Sequence, residues 1–143
     1  MIIPDINLLV YAYNRDAPHH AAAAVWWKTL MEGAQPVGLT WVACLGFLRL
    51  MTNRKILARP LEADEVLSHI QSWMARPQVQ MLQPGPRHLQ ILESFSHHHL
   101  LSSALVTDAH LAALAIETQA ELHSNDTDFA RFPGLRWRNP LIL

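Results

Sequence analysis

Met1-Ile2-Ile3-Pro4-Asp5-Ile6-Asn7-Leu8-Leu9 is the stretch from which the rest of the chain can be read. Residues 1–4 are apolar and end at a carboxylate, the pattern of a short buried strand closed by Asp5, and residues 7–13 then begin a helix. A strand that runs directly into a helix, with an acid at the junction, is the start of a βα unit. In open α/β sheets, ligands bind outside the carboxyl ends of the strands, where the crossovers diverge. Asp5 is hard to explain as a surface residue, because a carboxylate at the end of a buried run needs a partner.

Outward from this stretch, strands and helices alternate. Residues 18–30 read as a helix with Asp16 as its N-cap and Gly33 just past its end. Residues 36–39 read as a strand, after which Thr40 caps an apolar segment running through Leu45, Phe47 and Leu50, a helix expected to be buried nearly all round. Residues 61–75 carry Val66, Ile70, Trp73 and Met74 at helical spacing and lead into a strand at 79–82. Pro84-Gly85-Pro86 breaks the chain before a helix at 87–96, with Leu89, Leu92 and Phe95 on one stripe. A last helix at 108–118, marked by Leu111, Leu114, Ala115 and Thr118, precedes a strand at 120–124. The alternation predicts an α/β fold with a mostly parallel sheet.

The chain has 143 residues, enough for one domain spanning 1–143 and too few for two comfortable ones. Half of it is hydrophobic and 16% is charged, which excludes a disordered polypeptide. The net charge of −1 gives no general attraction to a polyanion, so any nucleic-acid site must be local. The densest basic group is Arg49, Arg54, Lys55 and Arg59, which can line one edge of a cleft or serve only as a solvated face. The single cysteine, Cys44, lies in an apolar run and reads as a buried thiol in a reducing compartment. The N-terminus lacks a basic leader, and no stretch approaches the roughly 20 apolar residues of a membrane span, so a cytoplasmic protein is expected.

Asp5, Asp108, Asp126 and Asp128 all fall at strand ends or helix starts on this reading. Four carboxylates converging there would repel one another unless a cation shared the site. Oxygen-only ligands favour a hard cation: Mg²⁺, which keeps several waters and needs only two or three carboxylates, or Mn²⁺. A cation so held can activate water against a phosphodiester. The chain has no Gly-rich phosphate loop, no Gly-x-Ser-x-Gly elbow and no spacing typical of a structural zinc site. Each acid also has a plainer role: Asp108 as an N-cap, Asp126 as a cap of residues 127–131, Asp128 as that segment's solvated first turn.

Three motifs taken together are specific. Asp5-Ile6-Asn7-Leu8-Leu9 resembles the opening Asp-x-Asn/Ser motif of PIN domains, Thr107-Asp108-Ala109-His110-Leu111 their second acidic motif, and Ser124-Asn125-Asp126-Thr127-Asp128-Phe129 their third. The resemblance runs through the whole chain and implies a PIN-like three-layer α/β/α fold. It further implies a Mg²⁺- or Mn²⁺-dependent endoribonuclease and, in the branch similar to the VapC toxins, a homodimer neutralised by a small VapB-like antitoxin. By that resemblance Asp5 and Asp108 are the primary metal ligands and Asp126 completes the site; Asp128, Asn7 and Thr107 act around them, while Arg49, Arg54 and Lys55 are candidates to hold RNA. PIN domains usually carry a glutamate in the helix after the second strand, and here the aligned position is Gly46. Close helix packing is one explanation; room for another ligand, or for Asp128 to swing in, is another. A degenerate PIN domain that binds RNA or protein without cutting is the alternative this departure raises.

The nine histidines do not make a second metal site on this reading, since the consecutive His97, His98 and His99 cannot all face one ion. His110 lies near Asp108 but turns away from it on a helix and reads as a structural or interface residue. Only one of Trp26 and Trp27 can face the core, leaving the other for an interface or for stacking on RNA bases. Trp41, Trp73 and Trp137 read as core or packing residues.

Overall fold

The computed structural model describes residues 1–142. Its strands are β1 (Ile2–Pro4), β2 (Val37–Leu39), β3 (Val79–Met81), β4 (Glu121–His123) and β5 (Arg136–Arg138), and they form one sheet in the order β3-β2-β1-β4-β5. Every neighbouring pair is parallel, with Ile2 opposite Val37 on one side of β1 and Pro4 opposite His123 on the other. The chain builds one half of the sheet from β1 through β2 to β3, then crosses back to lay β4 on the free edge of β1. That reversal puts the crevice beyond the carboxyl ends of β1 and β4.

Six helices flank the sheet. Those from the first half, α1 (Ile6–Tyr13), α2 (His20–Glu32), α3 (Trp41–Met51) and α4 (Ala63–Met74), share one core in which Leu9, Trp27, Phe47 and Trp73 are buried. Trp73 centres it, with its ring 4.9 Å from Phe47 and 5.2 Å from Trp27, and its indole N–H donates to the Tyr13 hydroxyl at 2.8 Å. On the other face α5 (His88–His97), α6 (Val106–Thr118) and a short 3-10 helix (Thr127–Arg131) enclose Ile3, Phe95, Leu111, Leu122 and Phe129. The result is the three-layer α/β/α sandwich the motif order implies. Among the described residues no helix is long and apolar enough to cross a membrane.

Local chemistry sets the helix starts. The Asp5 carboxylate accepts the Ile6 N–H at 2.7 Å, so the residue that ends β1 also caps α1. Thr40 does the same for α3, its hydroxyl accepting the Ala43 N–H at 3.1 Å. At α5 the cap comes from outside: the Glu117 carboxylate accepts the N–H groups of Gly85 and Arg87, both at 2.8 Å, which hold its pKa below the usual carboxylate range.

Several sequence expectations are corrected. The helix α3 is not buried all round: Trp41 and Leu45, one turn apart, are 50% and 57% exposed. Trp41 is therefore not a core residue. Leu89 is 79% exposed: at about 100° per residue it stands roughly 120° around α5 from the buried Phe95, and so falls off that stripe. Asp16 does not cap α2, whose N-cap is His19; its carboxylate instead receives the Arg59 guanidinium at 2.7 Å. The strand β5 has no counterpart in the sequence reading. Cys44 is buried and free, as expected.

Candidate active site

Asp5 stands just beyond β1 and is only 7% exposed. Besides capping α1, its carboxylate accepts the Ser124 hydroxyl on Oδ2 at 2.7 Å, and its own N–H donates to the His123 carbonyl at 2.9 Å. Burial pushes its pKa up, offset by the donors from Ser124 and Ile6, while the nearby Asp126 raises it further. Ser124, fully buried, is the hub: its oxygen also accepts the Asp126 N–H at 2.9 Å and faces the Asn7 amide nitrogen at 3.5 Å. One hydroxyl thus fixes the distance between the first acidic motif and the third.

Asp108 lies in the first turn of α6 rather than at its cap, which is Leu105. Its carboxyl is pushed up to about 6, first by burial and then by the charges of Asp5, Asp126 and Asp128. Asp126 caps the 3-10 helix by accepting the Asp128 N–H at 2.9 Å, the plainer role foreseen for it, yet it also takes part in the cluster. Carboxylate oxygens of Asp108, Asp126 and Asp128 all lie within 4.8 Å of one another. Asp128 is exposed and 3.9 Å from the Arg131 guanidinium. Thr107 is exposed at the lip of the same helix turn.

These residues fit a hard divalent cation. The donors are all oxygens, three carboxylates converge at ligand spacing with a fourth beside them, and no arginine or lysine within salt-bridge reach neutralises Asp5, Asp108 or Asp126 among the described residues. In addition, Asn7, whose amide nitrogen faces the Ser124 hydroxyl, leaves its Oδ1 buried without a hydrogen-bond partner.

Gly46 settles one question left open by the sequence. A Cβ built there would sit 2.6 Å from Ile6 Cδ1 and 3.0 Å from Ile6 Cγ1, so the missing side chain is the space taken by Ile6 where α1 crosses α3. The glycine allows close packing and leaves no room for a further ligand. Arg49 ends α3 and Arg54 and Lys55 follow it, all three exposed, with Arg54 on the wall of a cleft it shares with Thr52, Pro60 and Glu62. Arg59 is engaged by Asp16.

His97, the last residue of α5, and His98 and His99 beyond it are exposed, and His110 meets His88 at 3.0 Å across the α5–α6 contact, a structural role. Trp27 enters the core, while Trp26 is half-buried and donates to His123. Trp73 is buried and Trp137 packs half-exposed, its N–H on the Ser124 carbonyl at 3.1 Å. The sequence reading assigned no role to Ser124 or His123. The only signal for Ser124 was its place two residues before Asp126, where a hydroxyl can bond its own chain two residues on.

With this geometry in hand, the chain can be placed among known proteins. The family model of the PIN domain matches residues 2–135, and the chain belongs to that family. Ribonuclease VapC33 of Mycobacterium tuberculosis is 45% identical over 141 residues, covering 99% of each chain, and Ribonuclease VapC37 of the same species is 39% identical over 143 residues. Within the PIN family the chain is a VapC ribonuclease, the toxin class of VapBC toxin-antitoxin systems. The fold is shared with VapBC2 from Rickettsia felis, solved bound to a promoter DNA fragment, at a TM-score of 0.68 and 16% identity over 97% of this chain and 98% of that one. The non-cutting alternative raised by Gly46 has no support among relatives that carry the name ribonuclease at this identity.

Proposed function

We propose that this chain is a metal-dependent endoribonuclease in which Asp5, Asp108 and Asp126 hold Mg²⁺, or Mn²⁺ in its place, with Asp128, Asn7 and Thr107 orienting waters around them. The observation that carries this reading is the convergence of Asp108, Asp126 and Asp128 to within 4.8 Å beside the buried Asp5. The cation supplies Lewis-acid charge for the phosphodiester and its attacking water. The rest falls to the side chains. Asp5, locked by Ile6 and Ser124, presents a fixed carboxylate edge rather than a mobile one. Asp108, the acid most crowded by its neighbours, gains most from a shared cation. Asn7 keeps Oδ1 free to accept from a water, and Arg49, Arg54 and Lys55 hold the RNA backbone through phosphate contacts that carry no sequence information.

On the same reading the 143 residues form one PIN domain that works in the cytoplasm and is silenced by a VapB-like antitoxin. The VapBC2 complex is a relative in which both partners are named together. A homodimer is supported by Trp41 and Leu45, an exposed apolar pair on α3 of the kind that interfaces cover. The test is cleavage of a mixed tRNA and rRNA pool by purified, antitoxin-free protein in Mg²⁺ or Mn²⁺. Cleavage abolished by EDTA and by Asp108→Asn supports the reading; cleavage that survives Asp108→Asn, with contaminating nuclease excluded, sinks the site.

A further inference from the structure

Trp26, on α2, donates its indole N–H to His123 Nδ1 at 3.0 Å. An indole nitrogen only donates, so Nδ1 of His123 carries its lone pair and the imidazole proton sits on Nε2, which donates to Glu121 Oε1 at 2.7 Å. His123 is 4% exposed, so water cannot replace either partner. The same residue supplies the carbonyl that accepts the Asp5 N–H at 2.9 Å, and the next residue, Ser124, supplies the hydroxyl on Asp5 Oδ2. Whatever fixes the His123 ring therefore fixes both attachments of Asp5 to β4. Trp26 is the only one of these groups that comes from α2, and its N–H is spent inward rather than offered to a base.

We propose that Trp26 is a positioning residue for the ribonuclease reaction: as the second anchor of the His123 ring, opposite Glu121, it sets the plane of that ring and pins the carboxyl end of β4, so that Ser124 meets Asp5 in register. The proposal rests on the reading that Asp5 belongs to the catalytic centre. Loss of the indole N–H leaves Nδ1 as a buried, unpaired acceptor and leaves the ring held only at its Nε2 end by Glu121, free to tilt about that contact. The strand end then loosens where Asp5 is held.

Trp26→Phe keeps an aromatic ring while removing the donor and part of the indole's volume. On a defined RNA oligomer in saturating Mg²⁺, kcat is expected to fall by about tenfold, in the range for groups that orient a ligand, while KM stays within about twofold. Side-chain ¹⁵N spectra of His123 should show the Nε2–H tautomer in both proteins, with the Nδ1 resonance shifted in the variant by loss of its hydrogen bond. Glu121→Ala, which removes the other partner at a half-exposed position, should lower kcat in the same sense and carries the test if Trp26→Phe does not fold. A wild-type kcat, an unshifted Nδ1 resonance, or a raised KM at constant kcat, which would make Trp26 an RNA-stacking residue, overturns the proposal. Asp5→Asn run in parallel separates the two levels: wild-type cleavage by that variant removes the site assignment itself, whereas its inactivity beside an unaffected Trp26→Phe removes only the role of Trp26.

Discussion

Ser124 and Asp5, 119 positions apart in the chain, are joined by a 2.7 Å hydrogen bond in which the serine hydroxyl donates to a buried carboxylate. The bond closes the crevice between β1 and β4 and orients the one acid of the cluster that is almost fully shielded from water. Ser124→Ala should cost about 10–100-fold in cleavage or in Mg²⁺ affinity, the usual range for a group that orients a ligand. Ser124→Thr should keep most of the activity. A Mg²⁺ titration of both variants checks the pair, and an alanine variant with wild-type affinity and rate would show that Asp5 is held well enough by Ile6 alone.

Asp108 should make the metal-free protein less stable than it could be. Its folded-state pKa lies at about 6, above the ordinary unfolded value near 4, so the folded chain binds the proton more tightly. The cost of ionising it is absent below pH ~4 and complete above pH ~6. In EDTA at pH 7.5, Asp108→Asn should therefore melt higher than the wild type, by about 1 kcal/mol or a few degrees once solvent screening of this half-open group is allowed for. The gap should close as pH falls towards ~4, and Mg²⁺ should reverse the order. Thermal melts in the three conditions decide it.

The same proton competes with the cation. At subsaturating Mg²⁺, cleavage should fall as pH drops through about 6, where the Asp108 carboxyl takes up its proton. Raising Mg²⁺ should move the midpoint to lower pH. A midpoint insensitive to Mg²⁺ would mean that the titrating group lies elsewhere.

Gly46 is expected to resist substitution because Ile6 fills its space. Gly46→Ala should destabilise by about 1–3 kcal/mol through overpacking, despite alanine's better helix propensity. Pairing it with Ile6→Val should recover part of the loss, since the closest atom, Cδ1, is then removed. Denaturant unfolding of the two single variants and the double measures the coupling.

The exposed cations beyond α3 should act through charge alone. Arg54→Ala and Lys55→Ala should raise KM for RNA and each lower the slope of log affinity against log salt by about 1, leaving kcat unchanged. Arg59→Ala should do less, because its guanidinium is already engaged by Asp16. Equal effects at all three positions would point to a diffuse field instead of a defined track.

Much of this was legible in the chain because single residues announced local roles. Asp5 follows an apolar run that only a buried strand explains, and Thr40 stands where a helix must begin. Periodicity located five of the six helices to within about two residues and α6 by its apolar stripe. Other features depended on partners far along the chain. Arg136–Arg138, with charges at both ends, carries no strand pattern of its own; pairing with β4 makes it β5. Trp41 and Leu45 look like core by composition, and only the packed helix shows which face the protein leaves open. The hub role of Ser124 and the contact of Gly46 with Ile6 join segments whose sequence says nothing of their distance.

The order of the sheet has one more consequence. Because β1 lies between β2 and β4, the oldest segment of a growing polypeptide waits for one of the youngest to complete its crevice. Asp5 leaves the ribosome among the first residues, yet its Ser124 and Asp126 neighbours are translated more than a hundred residues later. A chain cut short before β4 lacks Ser124 and Asp126 and so cannot close the crevice around Asp5, which leaves the proposed site unassembled until synthesis is nearly complete.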